Sequence, residues 1–316
     1  MSWILRRLVQ LVVVILVVTF FTALLSSLLP GDPCRTMLPT GRPSDIAQCR
    51  HDIGLDENLV VRYGKWAKGF FTGDMGRYYT IPGQQGDSIF DHVKSSLPTS
   101  LLIVFYVQLL TLLIAIPLGV LSAYKAGSLY DRGGTGMAFA LVALPTFVLA
   151  ALLKYWFGLR LGWFPTVGYT SIGDNVGKHL KSVAMPVITL TVAQIAIYSR
   201  LLRSDMVATL QEDFILMAKA KGMSNKRILW VHALRPSSLT LLTVAGLNIG
   251  ALVSGSLIIE RIFNINGIGF QLFDAVNRRQ FTALQGYVAV VAVLYVVVNF
   301  FVDILYSVLD PRIRNV

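Results

Sequence analysis

Six stretches of the chain contain no Asp, Glu, Lys or Arg: residues 8–31, 95–124, 133–153, 182–199, 236–259 and 280–302. A helix needs about 20 apolar residues to cross a hydrocarbon core of about 30 Å, and backbone amides cannot be left unpaired in lipid. The pattern therefore predicts an all-α integral membrane protein with six transmembrane helices. Arg6 and Arg7 precede the first stretch, as in a signal peptide. Its apolar run exceeds the usual core of about 7–15 residues, however, and Pro30-Gly31-Asp32-Pro33 is a poor small-residue cleavage site, so a retained helix is expected.

Six crossings put both termini on one side. With the termini inside, the inner segments hold 13 Lys and Arg and the outer segments 15. Eight of the outer ones lie in residues 31–97, a segment longer than the roughly 60 residues over which the positive-inside bias acts. Leaving that segment out gives 13 against 7, which predicts N-in, C-in.

The predicted organisation is an N-terminus and first helix over 1–30, an extracytoplasmic subdomain over 31–97, and a transmembrane core over 98–316 whose inner loop spans 207–235. The 31–97 segment balances 8 acids with 8 bases. Within it Leu59, Tyr63, Trp66 and Phe70 recur at helical spacing, a stripe expected to pack on the outer ends of the spans or lie on the membrane. Cys34 and Cys49 share this outer segment, where the compartment is oxidising, so a disulfide is expected in preference to two free thiols.

Composition sharpens this picture. Hydrophobic residues make up 54% and charged residues 14%, against roughly a quarter charged in soluble domains. The net charge of +11 could suggest nucleic acid, but long uncharged runs separate the basic residues, and no folded basic face results. Two cysteines and four scattered histidines exclude a four-cysteine zinc site. The nearest run to a P-loop, Gly173 to His179, has the wrong spacing and no hydroxyl after Lys178, and H-E-x-x-H, C-x-x-C and G-x-S-x-G are missing. No enzyme site, metal site or cofactor is expected in this chain.

Gln108, Gln194, Asn248 and Asn299 are polar groups within spans, with Asp303 near the end of the last. Each must face another helix or a watery path, so all five are candidates for a translocation path, with interhelical hydrogen bonding as the equal alternative. Lys154 sits at a boundary. Pro117 and Pro145 fall inside spans and are expected to bend them. The lack of paired carboxylates at mid-membrane disfavours an ion-coupled transporter.

The loop from Arg200 to Arg235 has 7 bases and 3 acids and alternates apolar with polar positions. Asp213 is expected to cap a helix over 214–221 that Gly222 stops, and Ser224 to cap a second over 225–234 that Pro236 ends or kinks. Ala218, Ala220 and Gly222 would let another backbone approach, with Phe214, Ile215 and Met217 as apolar anchors. An interfacial helix meeting anionic lipid headgroups is the alternative.

The run from Glu212 to Ser224, continuing to His232-Ala233-Leu234-Arg235, resembles the coupling-helix loop of ABC importer permeases of the dipeptide/oligopeptide/nickel family. Gly54-Leu55-Asp56, Tyr63, Trp66 and Gly73-Asp74-Met75-Gly76 are similar to that family's first permease subunit, the DppB/OppB type. So are Leu97-Pro98-Thr99, Ile116-Pro117-Leu118-Gly119, Asp131-Arg132, Pro145-Thr146-Phe147 and Leu161-Gly162-Trp163-Phe164-Pro165. Arg200, Arg203 and Met206, and finally Leu309-Asp310-Pro311-Arg312-Ile313-Arg314, complete a collinear series over nearly the whole chain.

The resemblance implies one of two permeases in a heterodimeric pore of the cytoplasmic (inner) membrane. Two ATP-binding subunits, which would hold the ATP and Mg, are implied inside, and a substrate-binding protein outside. It makes Asp213, Phe214, Ala218, Ala220, Gly222, Ser224 and Arg227 the expected contacts with the ATPase. Di- or oligopeptides are the implied cargo, with nickel chelates or another small solute as the alternative. A non-transporting scaffold that binds a cytosolic partner through the same loop is the alternative of another class.

Overall fold

A computed structural model describes residues 2–28, 31–80 and 86–309, with side chains from 9 to 301 in that range. The terminal Leu309-to-Arg314 motif, apart from the backbone of its first residue, and the Asp303 side chain lie outside the described residues. Among the described residues there are helices and a single isolated bridge, Arg77 with Ser88, but no strand. Five helices are long and apolar enough to cross a membrane: α1 (Ser2–Leu28), α5 (Ile89–Tyr124), α8 (Val176–Thr209), α11 (Leu234–Phe263) with the turns before it, and α13 (Phe281–Leu309). Shorter helices are α2 (Pro33–Met37), α3 (Pro43–Asp52), α4 (Leu59–Phe71), α6 (Leu129–Ala143), α7 (Thr146–Leu153), α9 (Asp213–Ala220), α10 (Asn225–Arg227) and α12 (Ile268–Asn277).

The stretch 133–153 departs from the expectation of one straight crossing. It is split between α6 and α7, bent by 96°, and only the pair together makes a sixth span. Leu144 takes an extended conformation (φ −83°, ψ 118°) because the Pro145 ring excludes the helical one from the residue before it. Pro117, by contrast, is passed within a continuous α5.

The residues form two compact units, 1–100 with 266–297, and 101–265 with 298–316. In the first, the predicted stripe of α4 packs on α1: Tyr63 Oη donates to the Leu16 carbonyl at 2.8 Å and meets Thr19 Oγ1 at 3.0 Å, and its ring stands edge-on to Phe20. Trp66 and Phe70 continue the aromatic ladder at 6.0 and 5.4 Å. The packing alternative therefore holds for this helix. Cys34 and Cys49 are disulfide-bonded and buried, joining α2 to α3. Asp32 supports the same corner, capping α2 through Cys34 N (3.0 Å) and pairing with Arg50 at 2.6 Å.

Residues 78–79 tie this segment to α12 and α13. Gln280 exchanges two amide hydrogen bonds with the Tyr79 backbone, at 2.6 and 3.0 Å, and Tyr79 Oη meets Thr282 Oγ1 at 2.7 Å. Tyr78 Oη lies 2.6 Å from Tyr287 Oη. Burial raises the phenol pKa of both Tyr78 and Tyr79, and the hydroxyl contacts offset this only partly, so these bonds persist up to pH values above the ordinary tyrosine range. Replacing Cys34 by Ser, which opens a loop of 15 residues, is expected to cost about 3 kcal/mol in the chain-entropy account. Limited proteolysis should then cut between α2 and α3 well before the spans are lost; unchanged resistance would show that Asp32 and Arg50 hold the corner unaided.

In the second unit α8 is the central helix, packed by α6, α7 and α11. A Cβ added at Gly119 of α5 would sit 2.9 Å from the Ser199 carbonyl, so glycine is what permits α5 and α8 to approach at this point.

Candidate coupling loop

The loop between α8 and α11 is built on a buried cluster. Ala115, Val120 and Ala123 of α5, Tyr198, Leu202 and Met206 of α8, and Leu241 and Ala245 of α11 surround Ile215 and Ala218 of α9 together with Ile228, Leu229 and Ala233. Positions 215 and 218 fall on one face of a 3.6-residue helix, and Ile215 is fully buried. Ile215 is thus not an outward anchor, and Ala218 meets its own protein. The opposite face is open. Phe214, Leu216 and Met217 are about half exposed, at 46%, 54% and 59%, and Asp213, Ala220, Gly222, Ser224 and Arg227 are exposed beside them.

The local geometry differs from the expected capping. Helix α9 begins at Asp213 with Glu212 at the cap, and no side chain caps it. Its other end is as predicted: Gly222 adopts φ +75°, Gly222 N donates to Lys219 O at 2.9 Å, and Met223 N donates to Ala218 O at 3.2 Å. These are the two bonds of a Schellman motif, which needs a left-handed residue at this position. Ser224 holds the cap conformation of α10 without a side-chain bond. Pro236 ends nothing, because the segment continues through a π turn, Ile228–Ala233, directly into α11. Pro236 is the third residue of α11, just after that π turn, whose i→i−5 bonding already departs from the ladder a proline would interrupt. Asn225 Nδ2 to Tyr124 Oη (3.2 Å) and Ser237 Oγ to Thr209 Oγ1 (2.8 Å) fasten the loop at both ends.

Beside the loop an ion pair joins α6 to α8. Asp131, whose side chain is 4% exposed, accepts from Arg203 through both oxygens, from Ser122 Oγ at 2.6 Å and from Gly127 N at 2.8 Å. One turn earlier, the Arg200 guanidinium carbon lies over the Phe139 ring, 4.4 Å from its centroid. The sequence singled out Asp131, Arg200 and Arg203 separately but not as a pair and its neighbour. An acid and a base at the same ends of different spans were the only signal available.

Four of the translocation-path candidates can be placed. Gln108 accepts from Tyr198 Oη at 3.3 Å, and Asn248 Nδ2 lies 3.5 Å from Gln194 Oε1, so these three make interhelical bonds. Asn299 Oδ1 is buried with no hydrogen-bond partner. Lys154 donates to the Ile262 carbonyl at 2.9 Å, near the C-terminal end of α11 where a cation is favoured.

Residues 115–315 match the family described as binding-protein-dependent transport system inner membrane component, and residues 1–104 match its N-terminal component. The chain belongs to this permease family. The oligopeptide transport system permease protein AppB of Bacillus subtilis is 33% identical over 316 residues, covering 99% of each chain. The di/tripeptide transport system permease protein DppB of Pseudomonas aeruginosa is 33% identical over 337 residues, covering 100% of this chain and 99% of its own. A Brucella abortus protein, named provisionally as a peptide transport system permease, is 35% identical over 312 residues and 98% of each chain. In this permease, a multi-pass all-α membrane protein, the loop between α8 and α11 buries one face of a short helix and exposes the other.

Proposed function

We propose that this chain is one of two permease subunits of an ATP-driven importer for di- or oligopeptides in the cytoplasmic membrane. ATP and Mg would be bound by two separate ATPase subunits inside, and an external binding protein would deliver the cargo. The observation that carries this reading is α9: a helix fastened on its inner face to α5, α8 and α11, with Phe214 and Met217 unpartnered on its outer face. A rigid element with one free apolar face can pass a partner's movement to the spans, because its own packing leaves it little freedom to yield. Asp213, Phe214, Ala220, Gly222, Ser224 and Arg227 are the contacts of this reading, with Ala218 holding α9 in place.

The disulfide supports the orientation. A bridge of this kind suits an oxidising compartment, in keeping with residues 31–97 outside and the N-terminus inside. The 207–235 loop then reaches the cytosol only if the bent α6–α7 pair crosses the membrane, since α5, that pair and α8 lie between. A cysteine placed at Lys221 should be labelled by a membrane-impermeant maleimide in inverted vesicles and not in intact cells. Labelling of intact cells would reduce the bent pair to a re-entrant loop and remove the ATPase contact.

The reading itself is tested by reconstituting the complex with its second permease, ATPases and binding protein. Peptide-stimulated ATP hydrolysis and uptake are expected. Stimulation by a nickel chelate and not by peptides would replace the cargo, and partner binding without any uptake would leave a scaffold.

A further inference from the structure

A small cavity of about 70 Å³ opens between α5, α6 and α8, where Ser122, Tyr130, Thr135, Arg200 and Arg203 bring polar groups to a wall that is otherwise mostly apolar. Through Ala138 and Arg200 it adjoins a largely apolar groove of about 380 Å³, walled by Phe139, Val142, Ile197 and Leu201. Along α6 the lining changes from hydroxyls at 130–135 to hydrocarbon at 139–142, and so follows the helix into the charge-free stretch 133–153. The occupant therefore has a polar end at the membrane boundary and an apolar body pointing inward.

The two arginines differ in what they have left to offer. Arg203 is taken up by Asp131. Arg200 has no carboxylate partner among the described residues; its guanidinium lies over the Phe139 ring. A cation–π contact leaves the guanidinium its N–H donors, which can grip a phosphate bidentately. An uncompensated cation beside hydroxyls, continuous with a hydrocarbon groove, is complementary to an amphiphile with a phosphate head.

The geometry points to a bound anionic phospholipid, its phosphate on Arg200 and the neighbouring hydroxyls and one acyl chain along Phe139, Val142 and Ile197. Basic pockets between membrane helices near the headgroup level hold such lipids. The inference rests on the chain crossing a membrane, not on the cargo or the ATPase. The lipid would seal the side of the Asp131–Arg203 pair, which joins α6 to α8 beside the coupling loop.

Native mass spectrometry of the assembled complex in detergent, titrated with phosphatidylglycerol or phosphatidylcholine, tests this. Wild type is expected to retain phosphatidylglycerol preferentially. Arg200→Gln should reduce that retention about fivefold, as expected for one basic residue near the headgroups, and leave phosphatidylcholine unchanged. Arg200→Lys keeps the charge and should keep most of the preference, which separates charge from misfolding. Equal retention by wild type and Arg200→Gln overturns the proposal. So does displacement of the lipid by millimolar inorganic phosphate, which marks a plain anion site. Cross-linking of an Ile197→Cys variant to the second permease also overturns it, because the groove is then a protein interface.

Discussion

Replacing Asp131 by Ala is expected to deplete the protein from the membrane fraction and to lower the stability of what remains by about 3–5 kcal/mol, the usual cost of removing one partner of a buried ion pair. The carboxylate is almost wholly enclosed and takes four donors: two from Arg203, the Ser122 hydroxyl and the Gly127 amide. Its removal leaves Arg203 facing Ser122 and the end of α6 without a counter-charge. It also frees the turn 125–128, whose Gly127 amide loses its acceptor. Asp131→Asn should be milder, because it keeps the shape and one acceptor while losing the charge. The pair exchanged as Asp131→Arg with Arg203→Asp should recover part of the loss, since the two side chains meet directly. Abundance in membranes and the melting midpoint in detergent are the measurements. A variant as abundant and as stable as wild type would mean that α6 is held to α8 by apolar packing alone.

Replacing Gly222 by Val is expected to abolish peptide-stimulated ATP hydrolysis and uptake while the protein still inserts. The residue sits at φ +75°, and an added Cβ would find nothing within 4 Å. Space is therefore not what selects glycine here; backbone conformation is. A left-handed residue with a Cβ costs about 1–2 kcal/mol, more for a β-branched one. The substitution thus opposes the two bonds from Gly222 and Met223 that end α9. Asn tolerates the left-handed region, so Gly222→Asn should keep most of the stimulation. Comparing the two variants separates the explanations: if Asn is as damaging as Val, the partner's surface excludes any side chain and the Schellman geometry is secondary. Membrane abundance near wild type must accompany either result. Loss of the protein would make Gly222 a folding residue.

The difference between these two sites shows what was legible in sequence. Gly222 stood out because a turn's requirement is local: helix-forming residues, then glycine, then a cap-forming serine, all within a few positions. The same local logic located α4 and its aromatic stripe, and the cysteine pair. It failed by one residue at the start of α9, where Glu212 rather than Asp213 occupies the cap. It failed to see that the helix does not end at Pro236, because a π turn can carry a helix past a proline and leaves no signature in spacing. The same reasoning placed a bend at Pro145 but not its size, which follows from how α6 and α7 each pack on α8.

The sequence by itself determined that the chain crosses the membrane several times, that its loop at 207–235 is exceptional, and which family it resembles. Those properties depend on runs and spacings along the chain, since the cost of leaving backbone or charge in lipid is set segment by segment. Only the tertiary structure decided which face of α9 is free. Periodicity marks Ile215 and Ala218 as apolar and small, but their burial depends on α5, α8 and α11 arriving from far away in sequence. The same holds for Asp131 meeting Arg203, and for Gln108, Gln194 and Asn248 finding partners on neighbouring helices. A polar group in a span must be satisfied, but the sequence states only the need; the packing of the helices chooses the partner.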